Sequence, residues 1–306
     1  MQLDAMLILG RLFDMGIYIS SLFILLFSGF SIADCDRGHA EVEGVGSSKI
    51  ILSSWNCDVR AWGDISYQRP GSSMSLYSTS NPKVSQGLRV FVSPVQDGIS
   101  QDKKTLRVQR LVVGDLYLED GSKKETESNY CDVIDMTTGC VSKSFPASSC
   151  SGHWVGGKWK LFSGDDREEA GFGLATESPR RILDEVGRVV GREGKASAIA
   201  DGLYMGVESY LACYPPDNKN VVDLNDIAFY LAEGGDNYNS LKIYRALEKI
   251  APSRVVLKIN IADVLWGVGE KESARAYYRE YAAAMIRSGM KDGIPSRVDM
   301  RIHDDE

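Results

Sequence analysis

The sequence predicts an α+β fold in which a β-rich N-terminal domain is followed by an all-α domain of repeated helical hairpins. Two observations support this prediction: the hydrophobic period changes from that of strands to that of helices near residue 162, and part of the helical region repeats at a spacing of 34 residues. The 306 residues, 43% hydrophobic and 25% charged, suffice for two globular domains. The expected boundaries are a signal peptide at 1–33, a β-rich domain at 34–162, a linker at 163–178 and a helical domain at 179–306.

The N-terminal segment has the features of an export signal. No charged residue occurs from Ile17 to Ala33, and this uncharged run is slightly short for a membrane-spanning helix. Ser31 and Ala33 are the small residues typical of a signal-peptide cleavage site. We therefore expect cleavage after Ala33 and no membrane span in the mature chain, with a retained membrane anchor as the alternative. No Asn-x-Ser/Thr sequon follows residue 33, which favours the bacterial periplasm over a eukaryotic secretory route.

All six cysteines follow the expected cleavage point, and an even number of cysteines in an exported chain predicts disulfides. Only Cys131 and Cys140 are close in sequence around a turn signal, Thr137–Gly139, so they are the candidate local pair. The other pairings stay open. No Cys-x-x-Cys motif is present and the three histidines are scattered, so no metal site is expected.

Short runs of β-branched and aromatic residues, separated by Gly, Ser, Pro and Asp clusters, predict strands in the N-terminal half. A two-glycine turn at Gly156–Gly157 predicts a hairpin over 152–162. The polar stretches 69–86 and 119–129 are expected to be loops. The predicted strands are Lys49–Trp55, Val59–Tyr67, Leu88–Ser93 and Thr105–Leu118.

Helical spacing begins after the linker. Ser178 followed by Pro179 is a typical helix start, because the serine hydroxyl caps the first turn and proline needs no hydrogen-bond acceptor there. The apolar residues Ile182, Leu183, Val186, Val189 and Val190 then form one stripe. A second helix is predicted from Ala196 to Ala212, and Pro215–Pro216 ends it.

The clearest pattern in the chain is self-similarity at a spacing of 34 residues, which we call the repeat length. Small residues at two positions would let paired helices approach closely, a glycine marks the turn between them, and large residues fill the space between them. The matched pairs are Ile227 with Ile261, Ala228 with Ala262, Leu231 with Leu265, Gly235 with Gly269, Ser240 with Ala274, and Tyr244 with Tyr278.

This order of residues resembles the tetratricopeptide repeat. The family's usual early aromatic is replaced by Leu224 in one copy and by Lys258 in the other, and no proline closes the second copy. The resemblance implies two pairs of antiparallel helices, capped by the rest of the chain, whose first helices line a concave groove that binds another protein. The first copy, 221–254, supplies Ala228, Leu231, Gly235, Ser240, Tyr244 and Pro252, and the second, 255–288, supplies Ala262, Leu265, Gly269, Ala274 and Tyr278.

The register of the resemblance gives the candidate binding residues on the groove face. Trp266 would be a binding anchor there, since aromatic residues are frequent interface hot spots. The alternative is that Trp266 packs in the core against the C-terminal helix. The candidate residues are Asn225, Asp226, Phe229, Ile259, Asn260, Asp263 and Trp266.

Charge and motifs limit the possible functions. The net charge of −7 disfavours nucleic acid binding and is compatible with a basic protein partner. No phosphate-binding loop or nucleophile motif occurs, and His153 beside Cys150 is more typical of a packing residue, so neither catalytic residues nor a cofactor are expected. The sequence predicts an exported, non-enzymatic interaction module, for example an immunity protein against a periplasm-delivered toxin. The alternatives are a cell-wall hydrolase with its active site in the β-rich half and an envelope assembly factor.

Overall fold

The computed structural model describes residues 35, 37–77, 89–118, 120–164 and 174–304. The predicted signal peptide, 1–33, and most of the predicted linker lie outside the described residues. Within these ranges no helix is both long enough and apolar enough to cross a membrane. An antiparallel sheet occupies the N-terminal half and eight helices follow it, so the α+β prediction is confirmed.

The main sheet has nine strands, and every neighbouring pair in it is antiparallel. Its order is β1-β2-β3-β5-β6-β7-β8-β11, with β4 pairing β3 outside this path, and β9 and β10 form a separate hairpin. The strands are β1 (Ala40–Glu43), β2 (Lys49–Asn56), β3 (Ala61–Arg69), β4 (Ser72–Leu76), β5 (Arg89–Ile99), β6 (Thr105–Tyr117), β7 (Lys123–Asp135), β8 (Cys140–Pro146), β9 (Gly152–Val155), β10 (Lys158–Leu161) and β11 (Leu174–Ala175).

The four strands predicted from runs of β-branched and aromatic residues are present as β2, β3, β5 and β6, and the two-glycine hairpin is present as β9 and β10. The two predicted loops are wrong. The stretch 69–86 contains β4, and 119–129 contains the first half of β7, which pairs with β6 along its whole length. The first half of β7 is exposed and polar, and cross-strand ion pairs such as Lys123 with Asp115, 3.1 Å apart, hold it to β6. β4 has apolar residues only at Met74 and Leu76, which is too short a pattern to predict a strand.

All six cysteines are in disulfides. The predicted pair Cys131–Cys140 is corrected: Cys131 bonds Cys150, and Cys140 bonds Cys213. Cys131 lies opposite Phe145 in the β7–β8 ladder, whereas Cys140 lies opposite Asp135. A length of strand on the order of 13 Å therefore separates the two cysteines that the turn signal places close together.

The helices are α1 (Pro179–Val186), α2 (Arg192–Gly202), α3 (Val207–Cys213), α4 (Val221–Glu233), α5 (Asn237–Ile250), α6 (Val255–Gly267), α7 (Lys271–Arg287) and α8 (Ser296–Ile302). Ser178 caps α1 as predicted, since its hydroxyl accepts a hydrogen bond from the Arg181 amide. The apolar stripe is shorter than predicted, because α1 ends at Val186 and Val190 is 93% exposed.

The helix predicted over 196–212 is two helices. Gly206 has φ = +88°, a conformation that ends a right-handed helix and that glycine adopts at little cost. The break turns the chain towards the sheet, where the Met205 carbonyl accepts a hydrogen bond of 2.8 Å from the Tyr77 amide. α3 then begins at Val207.

The sheet and the helices share one hydrophobic core. Ile50 and Met136 of the β-rich half belong to the same buried cluster as Tyr210 and Leu224 of the helices. The buried hydroxyl of Ser209 in α3 donates to the Gly139 carbonyl at 2.8 Å and accepts from the Val141 amide at 3.0 Å. α3 is therefore fixed to the start of β8, and the Cys140–Cys213 disulfide adds a covalent link at the same place.

Candidate binding site on the paired helices

α4 to α7 form two helical hairpins with the same backbone geometry. α4 and α6 begin at Val221 and Val255, and α5 and α7 at Asn237 and Lys271, so the members of each pair start one repeat length apart. The turn glycines Gly235 and Gly269 both have φ = +85°. The turns also share a hydrogen bond, from Asp236 N to Leu231 O at 2.8 Å and from Glu270 N to Leu265 O at 2.9 Å. The self-similarity of the sequence is thus a repeat of local structure.

Small residues lie where the helices approach one another. Ala228, Ala262 and Ala274 are all fully buried, as expected for helix contacts. Ser240 occupies the position equivalent to Ala274, and its buried hydroxyl donates to the Ala228 carbonyl at 2.7 Å. The tyrosines Tyr244 and Tyr278 fill the space beside them and are also buried, which raises the pKa of both hydroxyls.

The seven predicted binding residues lie on α4 and α6, but they do not form one accessible set. Ile259 is 7% exposed and belongs to the hydrophobic core, so it is not available to a partner. Asn225 is 4% exposed and holds the two helices together. The prediction took both residues as groove-lining because helical register alone does not distinguish the edge of a face from its buried side.

A chain of hydrogen bonds links the two first helices. The Asn260 side-chain amide donates to Asn225 Oδ1 at 3.1 Å, and the Asn225 amide donates to Asp226 Oδ1 at 3.2 Å. Asn225 is buried, whereas Asn260 and Asp226 are half-buried at the surface. The chain therefore fixes the side chains of two half-buried polar residues, and Asn260 also lies within hydrogen-bonding reach of the buried Tyr244 hydroxyl.

Asp263 is engaged by the C-terminal helix. Its carboxylate accepts hydrogen bonds from Arg297 at 2.8 and 3.1 Å, from Arg301 at 2.7 Å and from the Tyr278 hydroxyl at 2.6 Å. Arg297 and Arg301 belong to α8. Three side chains thus satisfy this carboxylate, and a partner would have to compete with them.

Trp266 is half-buried against the core, in agreement with the packing alternative. Its ring lies 6.3 Å from the ring of Tyr278, and the Arg301 guanidinium of α8 lies 5.2 Å from its centre. Lys271 lies 5.6 Å away. α8 and the start of α7 therefore contact the ring that was the candidate binding anchor.

Phe229 is the most exposed of the predicted binding residues. It is 43% exposed in the middle of α4, next to the partly buried ring of Tyr230. Val222 and Val256, each in the first turn of its helix and one repeat length apart, are exposed beside this face. We name the surface formed by Val222, Asp226, Phe229, Val256 and Asn260 the first-helix face.

The β-rich half contains a buried ion pair that the sequence analysis missed. Arg110 Nε donates to Asp132 Oδ2 at 2.6 Å, and Ser144 donates to the other carboxylate oxygen at 2.6 Å. The Arg110 side chain is 7% exposed and that of Asp132 is fully buried. Arg110 follows Leu106 and Val108 at alternate positions of β6, where an apolar residue would continue the buried face, and this departure is the signal that the sequence carries.

Aromatic rings enclose the Arg110 guanidinium, which lies 4.3 Å from the ring centre of Tyr130 and 4.4 Å from that of Tyr204. Burial raises the pKa of the Tyr204 hydroxyl and of the nearby Tyr77 hydroxyl above the ordinary value of a tyrosine. The arrangement joins three strands to the segment between α2 and α3, which suits a structural connection.

Cys150, which precedes His153 by three positions, has no free thiol. His153 is exposed and stacks on Phe162, with ring centres 5.3 Å apart, and Cys150 is bonded to Cys131. Within the described ranges, no group of three His, Cys, Asp or Glu side chains could hold a metal ion.

Comparison with known proteins adds no relative. No protein-family model matches the chain, and no curated protein has a similar sequence.

Proposed function

We propose that this chain is an exported protein-interaction module that holds a partner protein on the first-helix face, in the manner of a tetratricopeptide-like scaffold. The observation that carries the proposal is the composition of the first-helix face. There, an exposed aromatic residue, Phe229, lies among polar side chains that the Asn260–Asn225–Asp226 hydrogen bonds hold in place. A rigid aromatic surrounded by oriented polar groups is typical of an interface hot spot.

Export is supported by the cysteines. Disulfides persist in oxidising compartments and are rare in the cytosol, and all six cysteines of this chain are oxidised. With the cleavage signal at Ala33, this favours the bacterial periplasm as the place of action. A more specific form of the proposal is an immunity protein that binds a basic toxin delivered there, because the chain carries a net charge of −7.

The proposal is tested with two aromatic substitutions of similar exposure. Phe229→Ala removes the ring on the first-helix face, and Tyr238→Ala removes a ring that is 59% exposed on α5, a second helix. The variants and the wild type are used to capture partners from a periplasmic extract, and the affinity for the purified partner is then measured for each.

We expect Phe229→Ala to weaken binding by about 2 kcal/mol, roughly 30-fold, and to leave the melting temperature close to that of the wild type. Tyr238→Ala should bind as the wild type does. If Phe229→Ala binds the purified partner unchanged, the first-helix face is not the binding site and the proposal fails.

A further inference from the structure

We propose that the first-helix face binds an extended peptide segment in which a lysine or arginine lies next to a large apolar side chain. The inference rests on the proposed function and adds the chemistry of the partner. It comes from the pair Asp226 and Phe229, and in particular from the charge of Asp226.

Asp226 differs from the other carboxylates of the paired helices. Seven carboxylates lie within α4 to α7, and six of them pair with a lysine or arginine. In the part of the chain that the structure describes, no cation pairs with Asp226, which accepts only the Asn225 amide. The six pairs are Asp223 with Arg180, Glu233 with Arg192, Glu248 with Arg245, Asp263 with Arg297, Glu272 with Arg275, and Glu280 with Lys258.

The unpaired carboxylate lies between apolar side chains. Val222 precedes Asp226 by four positions and Phe229 follows it by three, so all three share one face of α4. Both apolar residues are exposed, and Asp226 is half-buried. A half-buried carboxylate is less screened than a fully exposed one, so it attracts a cation more strongly.

A basic residue flanked by an apolar one matches this stripe. The ammonium or guanidinium group can pair with Asp226 while the aliphatic stem lies along the Phe229 ring, and a neighbouring apolar side chain can cover Val222. The basic residue of the partner would then form an ion pair with Asp226, as Arg297 and Arg301 do with Asp263.

The second first helix contributes polarity without charge. Asn260 of α6 is the residue equivalent to Asp226, one repeat length later, and its side-chain amide donates one hydrogen bond to Asn225. Its carbonyl oxygen suits a backbone N–H of an extended segment, because no hydrogen bond to that oxygen is formed among the described residues. Since Asp263 is already paired, Asp226 is the charge that selects the partner.

The probe is a displayed library of random peptides, selected on the wild type and on Asp226→Asn, Phe229→Ala and Glu272→Gln. Asp226→Asn keeps the shape of the side chain and removes its charge. Glu272→Gln makes the same change of net charge on α7, away from the first-helix face. Selected peptides are then synthesised, and their affinities are measured at low and high salt.

We expect wild-type selections to be enriched in lysine or arginine beside a large apolar residue, and Glu272→Gln selections to match them. Asp226→Asn should lose the enrichment in basic residues and bind a wild-type-selected peptide about tenfold more weakly, with less dependence on salt. If Phe229→Ala abolishes binding while Asp226→Asn selects the same basic peptides as the wild type, this inference is wrong and the proposed function stands. If the wild type selects no peptide, this inference fails, and the proposed function is decided by the affinity of Phe229→Ala for the purified partner. If Phe229→Ala selects and binds peptides as the wild type does, both fail.

Discussion

The disulfides Cys140–Cys213 and Cys131–Cys150 should contribute unequally to stability. Cys140–Cys213 joins β8 to α3 with a sequence separation of 73, whereas Cys131–Cys150 has a separation of 19. A disulfide stabilises a fold largely by restricting the unfolded chain, and the restriction grows with the length of the closed loop. Removing Cys140–Cys213 should therefore cost more stability.

The loop-closure relation gives the magnitudes. For the separation of 73 it predicts about 4.4 kcal/mol, and for the separation of 19 about 3.2 kcal/mol. Alanine is the appropriate replacement for each cysteine, because Cys131 is fully buried and a serine there would leave an unpaired hydroxyl in the core. The expected difference between the two double variants is about 1.2 kcal/mol.

The measurement is urea unfolding of the wild type and of the two double variants, Cys140→Ala with Cys213→Ala and Cys131→Ala with Cys150→Ala. Tryptophan fluorescence and far-ultraviolet circular dichroism should give coincident transitions, because the sheet and the helices share one core. A loss of stability in the Cys131–Cys150 variant equal to or larger than that in the other would refute the loop-length reasoning.

Two further substitutions each test one side-chain contact, the first in the β-rich half and the second in the helical half. Asp132→Ala should lower the free energy of unfolding by about 3–5 kcal/mol, because it leaves the Arg110 guanidinium buried without its partner. The double variant Arg110→Met with Asp132→Leu should recover part of that loss in the same urea experiment. Trp266→Ala should lower the free energy of unfolding by about 2–3 kcal/mol, which is less than the loss at a fully buried tryptophan, because the ring is half-buried between the core and α8. A melting temperature equal to that of the wild type would show that the ring makes no such contact.

The parts of the fold that the sequence predicts correctly are those whose pattern is local. Runs of β-branched and aromatic residues predict β2 and β6, and the self-similarity at the repeat length predicts the two hairpins with their turn glycines. The first half of β7 was missed because its exposed polar residues are paired with β6 and not buried, and β4 was missed because its two apolar residues, Met74 and Leu76, stand among serines. The disulfide pairing was missed for a related reason: Cys213 reaches Cys140 only after α3 has packed on β8.

For the candidate site, the helical register of the repeat places the predicted residues on α4 and α6, but it does not predict which of their side chains are exposed. Ile259 and Asn225 face the neighbouring elements, and Asp263 is covered by α8, which lies far from it in the sequence. The repeat predicts the hairpins because their packing is the same in each copy. The ends of the array break that equivalence, so the exposure of each residue depends on what caps it.

The capping elements also explain how two hairpins can be stable without further copies. At one end α2 lies so close to α4 that a side chain on Gly234 would collide with Ala196, and Glu208 of α3 pairs with Lys242 of α5 at 3.1 Å. At the other end, Val298 of α8 follows Val264 of α6 by one repeat length, and both are buried. α8 thus continues the register of the first helices for about two turns, and its arginines neutralise Asp263. An array closed at both ends leaves its middle first helices to the solvent, and Phe229 and Asp226 lie there without a covering element among the described residues.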